Sequence, residues 1–176
     1  MIKSLRIDSR LIHGQIVEGW LKFIMADEVL IIDDFIRESP FEKKILRFAL
    51  PPEIDLEVLS ITEAAARWTE ISASSKRFFI LLQSVDMLSR FYGCLLGSRP
   101  PLPPLPPVNL GLINFMDSKT LLTKAVYLDE REREQIKVLI ESDVEIYAQA
   151  LPSNEKISIA ALLEGGNVKA PGNTDE

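Results

Sequence analysis

Only one histidine, His13, occurs in the 176 residues of this chain, and Arg6, Asp8 and Arg10 lie within the seven positions before it. An imidazole beside a carboxylate and a guanidinium suits the acceptance of a phosphoryl group. The carboxylate holds the ring in one tautomer, the other nitrogen is left as a nucleophile, and arginine offers the anion a planar charged fork. Asp8 is the candidate orienter and Arg10 the candidate charge stabiliser. Gly14 follows directly and lets backbone approach an anion closely, while the first turn of a helix starting there presents unpaired N–H groups and a positive dipole end. Residue types alone leave a second reading open, since a lone histidine in a surface turn is more often an ordinary polar residue.

Other chemistries fit less well. A zinc site needs several nitrogen or sulfur ligands, and the chain has one His and one Cys. Magnesium would have to rest on scattered acids such as Asp33 and Asp34, which end an apolar run where solvated carboxylates are common. Cys94 sits in an apolar stretch with nothing to place it near His13. Neither Gly-x-Gly-x-x-Gly nor a Walker loop is present, and Leu163-Glu164-Gly165-Gly166 is no substitute. No cofactor and no metal are expected.

The elements that must position His13 follow from the apolar pattern. Short β-rich runs alternate with longer segments of helical period, which predicts an α/β fold: a single open, mostly parallel sheet of about six or seven strands with helices on both faces. The first strand covers Ile2 to Asp8, and a helix begins at about Gly14, with Ile16, Val17, Trp20, Leu21 and Ile24 at helical spacing. His13 therefore stands where a strand hands over to a helix, the edge at which open α/β sheets bind ligands. Further strands are predicted at Glu28 to Asp33, Asp55 to Ser60, Arg77 to Gln83, Val108 to Ile113, Lys124 to Leu128 and Val144 to Gln149. Ser39, Pro40 and Glu42 open one helix, stopped by Pro51-Pro52. Thr62 caps a second through Ile71, a third ends near Gly93, and a fourth runs from Asp129 to about Ser142 with Glu130/Arg133 and Glu134/Lys137 pairs. Another helix is expected after Pro152.

Composition bounds the rest. With 47% hydrophobic and 26% charged residues, the chain can build an ordinary globular core. A net charge of -6 argues against nucleic acid as a partner, and the apolar runs are far short of the roughly 20 residues of a membrane span. The unpaired Cys94 points to a reducing compartment, and Met1-Ile2-Lys3-Ser4 does not read as a signal peptide. Residues 1–164 are expected to form one domain, and the tail 165–176, rich in Gly, Asn and charge, to be disordered. Residues 99–108 carry six prolines and should form a stiff, extended, polyproline-like loop outside the sheet. Because it leads into the Val108 to Gly111 segment, it could restrict access there; a proline-motif ligand is the sharper reading of the same residues.

The run Arg6-Ile7-Asp8-Ser9-Arg10-Leu11-Ile12-His13-Gly14-Gln15-Ile16, with Trp20 beyond it, resembles the phosphorylation-site segment of the IIB component of the mannose/fructose/sorbose family of the bacterial phosphoenolpyruvate-dependent sugar phosphotransferase system. The resemblance implies that His13 is the phosphoacceptor, carrying the group on Nδ1. It would take the phosphoryl group from a phosphohistidine of a IIA component and pass it to a sugar bound by membrane IIC/IID components. Arg10 and Asp8 match positions lining that pocket, and Arg6, Gly14 and Gln15 match positions implied to bind the phosphoryl group or a partner. A cytoplasmic location follows, with the membrane approached through partners. The similarity extends more weakly over roughly the first 160 residues. Leu112 stands where relatives have a second glycine and Ser118 where a glycine precedes Lys119, departures that would tax transfer to sugar more than acceptance. An alternative role is a regulatory phosphoacceptor that does not discharge to sugar.

Overall fold

The computed structural model describes residues 1–98 and 101–164. Seven strands form one sheet in the order β3-β2-β4-β1-β5-β8-β9: β1 (Ile2–Asp8), β2 (Glu28–Ile32), β3 (Asp55–Leu59), β4 (Phe78–Leu82), β5 (Val108–Leu112), β8 (Ile146–Ala148) and β9 (Ile157–Ser158). Every pairing is parallel except that of β9, which runs antiparallel on the β8 edge. This is the mostly parallel α/β sheet that the alternating pattern predicts. Two strands, β6 (Thr120–Thr123) and β7 (Val126–Leu128), make a separate antiparallel hairpin. β1 sits in the middle, and the chain fills the sheet on one side of it before crossing to the other, so the carboxyl end of β1 lies at a topological switch point.

The central strands are apolar on both faces, as buried parallel strands must be. One face packs Leu5, Ile7, Leu30, Ile32, Phe78, Ile80 and Leu82 against α4 (Ile61–Ala66), α5 (Trp68–Ala73), α6 (Val85–Leu96) and α7 (Glu130–Glu141). The other packs Val29, Ile31, Phe79 and Leu81 against α1 (residues 15–24) and α3 (Pro40–Ala49). α1 is a π-helical segment, Gln15–Leu21, running into an α-helical turn, Lys22–Ile24. On this second face β1 breaks the apolar surface: the alternation of its side chains puts Ser4, Arg6 and Asp8 there, at 7%, 0% and 0% exposure. Buried charges are retained only when paired.

Several local expectations change. A short helix, α2 (Asp34–Glu38), follows β2, and Asp33 is its N-cap, accepting from the Ile36 N–H at 2.8 Å. Asp34 accepts from Ile61 N–H and pairs with Arg90, so neither acid is a solvated strand end. The helix predicted from Thr62 to Ile71 starts instead at Ser60, whose hydroxyl and Glu63 form a reciprocal capping box, and it breaks at Arg67, where φ is -98° and ψ is 5°. The strand expected at Lys124 to Leu128 is the second arm of the β6–β7 hairpin. The last parallel strand is three residues long, and the helix expected after Pro152 begins only at Ile159, as α8 (Ile159–Glu164), once β9 has been laid down.

Residues 101–107 carry no regular secondary structure and lie outside the sheet. Leu102 and Leu105 pack on the core, and the Trp68 indole N–H donates to the Pro103 carbonyl at 2.8 Å. This loop enters the amino end of β5, whereas His13 follows the carboxyl end of the neighbouring parallel strand β1. The two lie at opposite edges of the sheet, so the loop does not border the His13 segment. The tail 165–176 lies outside the described residues, as do Arg99 and Pro100.

Candidate functional site

Strand alternation delivers Arg6 and Asp8 to one face, and Asp8 is shared by three residues. Its Oδ2 accepts from Arg6 Nε at 3.1 Å and Nη2 at 2.9 Å; its Oδ1 accepts from the Arg10 backbone N–H at 3.2 Å and lies 3.2 Å from His13 Nε2. A carboxylate accepts, so Nε2 donates a proton to it, and in the neutral ring Nδ1 then holds the lone pair. Nδ1 is buried without a hydrogen-bond partner.

The turn between β1 and α1 is fixed at both ends. Ser9 N–H donates to the Leu112 carbonyl at 2.8 Å and Leu11 N–H to the Asp8 carbonyl at 3.0 Å. Leu11 has φ 51°, a left-handed conformation that costs a non-glycine residue about 1–2 kcal/mol; its side chain is nearly fully buried, and that burial offsets the strain. Val17 N–H then donates to the His13 carbonyl at 3.0 Å, which starts the helix directly after the histidine.

Arg10, Gly14 and Gln15 are exposed. With His13, Glu18, Gly19 and Leu151 they line a shallow cleft of about 590 Å³. The structure thus gathers His13, Asp8, Arg10, Gly14 and Gln15, but Arg6 stands behind them. Its guanidinium is fully buried, donates through Nη1 to the Gln149 carbonyl at 2.8 Å and through Nη2 to the Ala150 carbonyl at 3.2 Å, and lies 4.9 Å from the Trp20 ring centroid. Burial pulls its pKa below the ordinary arginine value and Asp8 pulls it back up. Arg6 touches neither solvent nor the cleft, so in this conformation a direct contact with a phosphoryl group or a partner is closed to it. The contributions of Gln149, Ala150 and Leu151 left no trace in the sequence, because two of them act through backbone carbonyls.

A larger cavity of about 960 Å³ opens at the opposite edge of the sheet. Its charges are engaged with one another: Lys76 with Glu28 and Asp55, Arg67 with Glu57 and Glu70, and Arg47 with backbone carbonyls. It offers no counterpart to the Asp8–His13 pair. Among the described residues no group of three or more His, Cys, Asp or Glu side chains is placed to hold a metal ion, and Cys94 lies on α6, across the sheet from α1.

A histidine held by a carboxylate at the switch point of a parallel sheet has the parts for nucleophilic or acid–base chemistry, and comparison with known proteins gives the class. Residues 2–173 match the model of the PTS system sorbose subfamily IIB component, and the chain belongs to that family. It is 26% identical over 169 residues to a probable phosphotransferase enzyme IIB component of Streptococcus pyogenes, covering 93% of this chain and 99% of that one. It is 24% identical over 160 residues to the mannose-specific EIIAB component of Escherichia coli, spanning 90% of this chain and 47% of that protein. Among solved structures, the IIBSor domain of the sorbose permease from Klebsiella pneumoniae superposes with a TM-score of 0.80 at 24% identity, covering 96% of this chain and 99% of that one. The manxB structure from Thermoanaerobacter tengcongensis gives 0.79 at 28%, covering 93% and 95%. The chain is therefore a sugar-transport phosphotransferase-system component of the IIB type.

Proposed function

We propose that residues 1–164 form a phosphocarrier domain that takes a phosphoryl group on His13 Nδ1 from a phosphohistidine of a IIA component and hands it to a sugar bound by IIC/IID membrane components. The observation that carries this reading is the Asp8 Oδ1–His13 Nε2 pair at 3.2 Å, which leaves Nδ1 as the nucleophile. In the transfer, the Nδ1 lone pair forms the new P–N bond as the donor's P–N bond breaks, and the released pair stays on the donor imidazole. Asp8 stabilises the positive charge that His13 acquires. Arg10, exposed at the cleft, supplies positive charge beside the incoming anion. Because Nδ1 is covered in this structure, the ring or the 9–14 turn moves outward when the donor docks.

The name of the E. coli relative, EIIAB, joins an A and a B component, which supports a IIA domain as donor. No helix among the described residues is long and apolar enough to cross a membrane; the sugar step is assigned to membrane partners as part of the IIB reading. His13→Ala should abolish acid-labile, alkali-stable phosphoryl label from phosphorylated IIA; label persisting on that variant overturns the reading. Sugar-dependent loss of label in membranes carrying IIC/IID separates a transport role from a regulatory phosphoacceptor.

A further inference from the structure

Gly111 lies on β5 beside the carboxyl end of β1, where the register jumps from Ile7 opposite Leu110 to Asp8 opposite Leu112, so Gly111 is the extra residue of a bulge. A Cβ built on it would stand 1.8 Å from Arg6 Cζ, 2.0 Å from Nη2 and 2.3 Å from Nε. No side chain fits there. The guanidinium has nowhere to retreat, because Trp20 lies near it, Asp8 and the Gln149 and Ala150 carbonyls hold its nitrogens, and it has no exposed surface.

We propose that Gly111 is a positioning residue for His13, its empty side-chain site being the seat of Arg6. Arg6 grips Asp8 Oδ2 while Asp8 Oδ1 meets the imidazole, so the orientation of the ring is set two contacts away from it. The same guanidinium fixes the carbonyls of Gln149 and Ala150, next to Leu151 in the cleft wall, and Trp20 Nε1 donates to the Ala150 carbonyl at 3.0 Å. One glycine therefore sets both the ring and one wall of the cleft. The effect on transfer rate rests on His13 as the phosphoacceptor; the effect on the ring does not.

The test is a cycle in the full chain: Gly111→Ala, Arg6→Ala and the double variant. The His13 Nε2–H proton, followed by 15N NMR without any partner, should be protected in the wild-type protein and lost to exchange in all three variants. Gly111→Ala should lower the melting temperature in the wild-type background and leave it unchanged in the Arg6→Ala background, where the clash is gone. Phosphorylation by phosphorylated IIA should slow by roughly a hundredfold in Gly111→Ala, the scale expected for an ångström of misplacement, with the double variant no slower than Arg6→Ala. If Gly111→Ala does not fold alone, the Arg6→Ala background still decides. A wild-type Nε2–H signal in Gly111→Ala, or an equal melting penalty in both backgrounds, overturns the proposal. An NMR response as expected, with label persisting on His13→Ala, would instead overturn the phosphoacceptor reading alone.

Discussion

Asp8 divides its two oxygens between a fully buried arginine and a nearly buried histidine, so Arg6 and His13 are coupled through one carboxylate while Arg10 is left facing the cleft. Arg10 touches Asp8 only through its backbone N–H. Its side chain is exposed, and an exposed charge adds little to stability. Arg10→Ala should slow phosphorylation by roughly ten- to a thousandfold, the range for loss of a charge-stabilising donor, with the melting temperature nearly unchanged; an early melt would make Arg10 structural. The sequence could show that Arg6 and Asp8 share a face, because alternation along a strand requires it. It could not show that Arg6 lies beneath Asp8, because depth depends on Gln149 and Ala150, more than 140 positions away, and on Trp20 closing over the guanidinium.

Among the secondary-structure elements, those with strong local chemistry were the readable ones. β2 and β4 carry continuous apolar runs, and α3 is announced by Ser39 and Pro40; Ser39 Oγ accepts from Glu42 N–H at 3.2 Å. α2 went unread because its five residues bury one side chain, Ile36, too few to show a period. The two-residue β9 is exposed and carries no pattern at all. At α4 the true cap lies two residues before the expected Thr62, because Glu63, not Ala65, closes the box with Ser60. Ser60→Ala should therefore cost about 1 kcal/mol, read as a lower urea midpoint, and Thr62→Ala should cost less; the reverse order would return the cap to Thr62.

Across the whole molecule, the strand order was not legible, since nothing local tells β4 to pair with both β1 and β2; only the parallel class and the helices on two faces were. The elements are tied across the sheet by ion pairs, and two of them make the fold sensitive to acid. Hydrogen bonds from the Arg77 side chain hold Asp27 down to about 2, and those from Arg37 hold Glu63 down to about 2. Their folded values lie below the ordinary carboxylate values of about 4, so this contribution is complete above that value and is lost as pH falls through it toward 2. The urea midpoint should fall between pH 4 and 2, and Asp27→Asn with Glu63→Gln should flatten that fall; an unchanged slope would assign the acid transition to other groups. The placement of the proline-rich loop matters for how the protein is handled. Its exposed prolines, Pro101, Pro104 and Pro107, lie at the end of the sheet opposite His13. A reporter inserted there, or a tether fixing the protein to a sensor chip, would leave the His13 edge facing solution, so donor binding and phosphoryl uptake could be followed on immobilised protein without blocking either.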